Sequence, residues 1–168
     1  MNISVLSLLI LTFTLLLFMS AHAKTSPKSD INAEITKIKN EYGIIRKNIA
    51  SYKLVTREGL SESAEGSECL YYVEKEKPRL VVETICGETF QVVDEFYFYK
   101  DGSLFFVYSQ EQRYNRPITW DEDTAKEYGD TEWWDPKKSK FTSDRYYFSG
   151  GKMIRWLDPQ QEQISSSK

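Results

Sequence analysis

Histidine is almost missing from this sequence. The only one, His22, stands beside a cleavage point expected after Ala23, so the processed chain is expected to carry no imidazole. That excludes a Ser-His-Asp or Cys-His mechanism and a His-ligated zinc site. Cysteine is scarce as well, with Cys69 and Cys86 alone, and a reactive thiol needs an activating neighbour that imidazole does not supply here. An excess of one charge is also lacking. The net charge is −3, from 22 basic and 25 acidic side chains that are interleaved along the chain. No basic stripe is left to follow a phosphate backbone, so nucleic acid is not expected as a partner. The acidic residues after Trp120 lack the alternation and terminal Glu of a calcium loop, and neither a metal nor a cofactor is expected.

One long apolar run is present. It extends from Val5 to Phe18 and is followed by "SAHAK", with Ala21 and Ala23 at the small-residue positions of a signal-peptidase site. This is the layout of a secretory signal, and the run is short for a span, which needs about 20 apolar residues. The alternative is an uncleaved anchor. The reading is therefore export to the periplasm or the medium, with no membrane span after cleavage. Residues 1–23 are the signal, 24–29 a polar disordered leader, 30–159 a single domain and 160–168 a flexible tail.

Asp30 is placed to cap a helix. Ile31, Ile35, Ile38, Tyr42, Ile45 and Ile49 follow in steps of four and three, an apolar stripe on one helical face ending near Tyr52. Beyond Glu68 the period changes to that of strands. Runs at 69–74, 79–86, 91–99, 103–112, 145–148 and 152–157 are separated by turn-like Lys77-Pro78, Gly87-Glu88, Asp101-Gly102 and Gly150-Gly151. A helix followed by sequential strands reads as α+β, an N-terminal amphipathic helix packed on an antiparallel β-meander. A fold-back centred on Lys77-Pro78 sets Cys69 opposite Cys86. In an oxidising compartment that predicts a disulfide stapling the hairpin, worth about 3 kcal/mol.

Within the meander, "EFYFYKDGSLFFVY" (95–108) aligns without a gap on "DRYYFSGGKMIRWL" (144–157), and "YYVEKEKPRLVVE" is a looser third copy lacking the glycine. Tyr97 meets Tyr146 and Gly102 meets Gly151, with the glycines supplying the positive φ of tight hairpins. These hairpins resemble those of small exported bacterial proteins with aromatic-glycine hairpin repeats, and loosely the MORN-type repeats. The period here is longer because a Trp-rich insertion separates the copies. The resemblance implies an antiparallel sheet and carries no functional residues.

The ring content exceeds what one dry face needs. Phe96, Tyr97, Phe98 and Tyr99 fall on both faces of one strand, as do Phe105 and Phe106. Phenylalanine has no polar handle, so the Phe96/Phe98 side is expected to face the helix. The tyrosine side is then left to the insertion, residues 114–144, or to a partner. Tyr97, Tyr99, Trp120, Trp133 and Trp134 are the candidate binding residues, for a protein, peptide or glycan. The functional expectation is an exported, non-enzymatic binding protein. The alternatives are a glycan hydrolase using Asp121, Glu122, Glu132 and Asp135, since paired carboxylates need no imidazole, and a structural envelope subunit.

Overall fold

The computed structural model describes residues 27–59, 65–160 and 163–164; the signal expected at 1–23 lies outside them. The chain divides into two units, Met1–Asp30 and Ile31–Lys168, and the second carries most of the helix and the entire sheet. Helix α1 runs Pro27–Asn48 and passes into a 3-10 turn, Ile49–Ser51. It begins inside the segment expected to be a disordered leader. Proline suits a first helical turn, where its missing N–H would have had no intrahelical partner.

Among the described residues, eight strands follow in one antiparallel sheet whose spatial order is the sequence order. They are β1 (Lys53–Glu58), β2 (Ser67–Glu74), β3 (Lys77–Gly87), β4 (Phe90–Phe98), β5 (Leu104–Arg113), β6 (Lys140–Ser149), β7 (Lys152–Leu157) and β8 (Gln163–Ile164). The α+β meander is as expected. The two-residue β8, paired to Trp156 and Leu157, falls in the segment expected to be a tail. No helix among the described residues is long and apolar enough to cross a membrane.

Helix and sheet meet through the predicted stripe. Ile35, Ile38 and Ile45 are buried against Leu80, Tyr97, Phe105, Phe106 and Tyr147, with Tyr42 and Ile49 packed beside them; each buried isoleucine contributes about 2 kcal/mol. The face of β4 that meets the helix is the reverse of the one expected. Tyr97 is fully buried there, while Phe96 and Phe98 are half-buried on the other side. The helix makes this possible by bringing Arg46 to the phenol. Tyr97 donates to Glu95 (2.5 Å), and Arg46 reaches both Glu95 (3.3 Å) and the Tyr97 hydroxyl (3.5 Å).

A shared irregularity sets the ring pattern. In the β2–β3, β4–β5 and β6–β7 hairpins the register shifts once, leaving Arg79, Phe105 and Ile154 as extra residues. Such a bulge turns two consecutive side chains to one face. Phe105 and Phe106 therefore both enter the helix-side core, Phe105 against Tyr99 (4.4 Å between ring centroids) and Phe106 against Tyr147 (5.0 Å), rather than splitting between faces.

The cysteines are not bridged. The first hairpin turns at Lys75-Glu76, both in the left-handed region at φ 48° and 66°, and not at Lys77-Pro78. Cys69 consequently pairs with Glu83, three positions short of Cys86. An odd displacement puts the two thiols on opposite faces of the sheet. Thiol titration of unfolded, unreduced protein is expected to count two thiols per chain; a count of zero would restore the bridge.

Candidate ligand-binding groove

Helix α1 covers only part of the aromatic face. On the side of β5 and β6 it leaves a groove of about 380 Å3 between itself and the sheet. Ile38, Tyr42 and Arg46, four residues apart, form the helical wall with Lys39 at its flank. The sheet supplies two cross-strand rows. Phe106 and Tyr147 continue the row that starts at Tyr97, and Tyr108 and Arg145 continue the row that starts at Glu95. One row is aromatic and the adjacent one is charged.

The groove thus holds three cationic side chains, Lys39, Arg46 and Arg145, and one carboxylate, Glu95. Both oxygens of Glu95 are engaged, one by Tyr97 and one by Arg46. The Arg145 guanidinium lies over the Tyr108 ring, 5.3 Å from its centroid, and the Tyr108 hydroxyl accepts from Gln110 Nε2 at 3.1 Å. Burial raises the Tyr147 phenol above the ordinary tyrosine range, although Arg145 and Arg155 pull it back. Tyr97 is raised further, by burial first and then by its bond to Glu95. Among the described residues no cluster of three or more His, Cys, Asp or Glu is arranged to hold a metal.

The five candidate binding residues from the sequence do not converge. Tyr97 is core, its hydroxyl consumed by Glu95. Tyr99 is half-buried, with Lys37 Nζ 5.3 Å from its ring centroid. Trp120 and Trp134 are half-buried within the insertion, and Trp133 is 41% exposed. The insertion is tied to the far end of the sheet, where Tyr114 N and Ile118 N donate to the carbonyls of Thr89 and Glu88. Seven residues of strand separate Phe90 from Tyr97, roughly 23 Å. The tyrosine side of β4 is covered by the helix at Tyr97, and the anchored ends of the insertion lie well away from Tyr97.

The insertion is a small structure of its own. Trp134 N donates to the Trp120 carbonyl (2.8 Å), and Asn115 braces Trp133 and Asp135. Its carboxylates do local structural work. Asp121 caps the short helix α2 (Glu122–Glu127) by accepting from Thr124 N, and Asp135 caps the 3-10 turn Pro136–Lys138. Glu122 pairs with Lys126, and Glu132 pairs with Arg116 and Lys138. The bond from Thr124 N holds Asp121 below the usual carboxylate range, and that from Glu132 N does the same for Asp130. A general acid needs its pKa moved the other way.

No protein-family model, curated protein or solved structure matches the chain. The groove residues Lys39, Arg46, Glu95 and Arg145 were not legible as a group from sequence. Only the pair Glu95 and Tyr97, two apart and so on one strand face, marked a tyrosine with a partner at hand.

Proposed function

We propose that this is a non-enzymatic binding protein and that its ligand occupies the groove between α1 and strands β4–β6. One observation carries the reading: a concave space of about 380 Å3, floored by rings and edged by a few convergent polar groups. Ligand sites combine these features at about 300–1,000 Å3. The Tyr147 phenol at its base is shifted up, away from neutral pH, and the Glu95 carboxylate is engaged twice, so the groove's chemistry favours holding over reacting. Its size suits one ring system or a short segment better than a broad protein surface, and export would place it among extracytoplasmic ligands.

Screening ringed small molecules by NMR, with amide shifts mapped on the protein, tests this. Binders are expected to move amides of residues 38–46, 106–108 and 145–147. Shifts confined to residues 114–139 would move the site to the tryptophan insertion and overturn the assignment.

A further inference from the structure

We infer that a second site, separate from the groove, lies at the tips of the first two hairpins and takes the tetrahedral oxyanion, phosphate or sulfate, of a small soluble ligand. The two tips meet at one end of the sheet. Lys77 Nζ, from the first, donates to the Asp101 carbonyl of the second at 3.3 Å, and the buried Arg79 donates through Nε to the Phe98 carbonyl. A pocket of about 220 Å3 opens between them, lined by Glu74, Lys75, Lys77, Arg79 and Lys100. Whole small-molecule sites occupy roughly 300–1,000 Å3, so this one suits a single charged group.

The pairing of charges gives the site its sign. Arg79 is already matched, by Glu74 within the pocket and by Glu41 of α1. With Glu74 engaged there, three lysines remain. Asp101 is folded back onto Ser103, its Oδ1 accepting from the backbone N at 2.8 Å and from Oγ at 2.6 Å. Glu76 does not line the pocket. Among the described residues, neither Lys75 nor Lys100 forms an ion pair. Lys77 gives one N–H to Asp101 and, as an ammonium, keeps two more. Lysines gathered on one pocket repel one another. An oxyanion between them relieves that repulsion and accepts charge-assisted hydrogen bonds.

Backbone conformation is an independent mark on the same place. Lys75 and Glu76 stand in the left-handed region, at φ 48° and 66°, which disfavours any residue with a Cβ. The sister hairpins put Gly102, Gly150 and Gly151 at their tips in that region. A lysine held where glycine is easier is there for its side chain, and such strain gathers at functional sites.

Titration with sodium phosphate and with sodium sulfate, against chloride at constant ionic strength and followed by amide shifts, tests the site. Saturating shifts of residues 74–79 and 99–101 by either anion, absent with chloride, are expected. Lys75→Gln and Lys100→Gln are each expected to weaken binding by roughly fivefold, the upper end for an exposed ion pair. Both lysines are exposed, so neither change threatens the fold. Lys137→Gln, in the insertion, is the control and is expected to leave binding unchanged; an equal loss there would reduce the effect to net charge and overturn the site. Saturation by neither anion, or shifts confined to the groove residues 38–46, 106–108 and 145–147, would also overturn it. Binding to vesicles containing phosphatidic acid without binding of either soluble anion would make the lysines a membrane-facing patch and overturn the soluble-ligand assignment.

Discussion

Replacing Arg79 by alanine is expected to lower folding stability by about 3 kcal/mol, the low end of the cost of breaking a buried ion pair. Arg79 is the extra residue of the first hairpin's bulge, where the sister hairpins carry Phe105 and Ile154. It is only 1% exposed. Its guanidinium binds Glu41 of α1 and Glu74 of β2, and its Nε donates to the Phe98 carbonyl at 3.1 Å. One side chain therefore ties the helix to three strands. The estimate sits at the low end because Glu41 and Glu74 remain 21% and 34% exposed and rehydrate when their partner leaves. Urea unfolding at constant m-value measures the change. The control is Arg113→Ala, whose pair with Glu111 is exposed and is expected to cost under about 1 kcal/mol. Equal, small losses for both variants would show that the Arg79 network is a surface-type interaction despite its burial.

The same residue explains part of what sequence reading missed. Asp101-Gly102 and Gly150-Gly151 mark their hairpins plainly, because positive φ selects glycine. The structure uses both, with Gly102 at φ 95° and Gly150 and Gly151 at 56° and 74°. The first hairpin turns through Lys75 and Glu76 with no glycine at all, and Pro78 is a misleading turn signal two residues further on. Its bulge and the charged anchor at Arg79 settle the register instead, and the expected cysteine pairing falls with the shift. Helix, stripe and meander were legible because they rest on local periodicity. The groove was not, because Arg46, Glu95 and Arg145 are brought together by the helix crossing and by strand pairing across a long insertion.

That limit is sharpest at Tyr97, and the second large effect is expected there. Tyr97→Ala removes a fully buried ring that touches Tyr42 (4.9 Å), Phe105 (6.3 Å) and Phe106 (5.6 Å), and is expected to cost about 3–5 kcal/mol as a core truncation. Phe98→Ala, on the half-buried opposite side, is expected to cost about half as much. Polarity alone ranks these two the other way, since phenylalanine is the more hydrophobic. The order follows from the hydroxyl's partner, because a buried phenol bonded to Glu95 and Arg46 has no desolvation debt left to penalise it. Tyr97→Phe isolates that bond. It keeps the ring and is expected to lose about 1 kcal/mol. It also changes the alkaline limb of stability. The folded phenol holds its proton more tightly than the unfolded one, so the unfolded chain ionises first, from about pH 10. Stability from this group is therefore present below pH 10 and falls as pH rises beyond it. The wild type should lose stability above pH 10 more steeply than Tyr97→Phe. Identical slopes would mean that the Tyr97 hydroxyl titrates as freely as one in water, and a larger loss from Phe98→Ala than from Tyr97→Ala would return the phenylalanine side of β4 to the core.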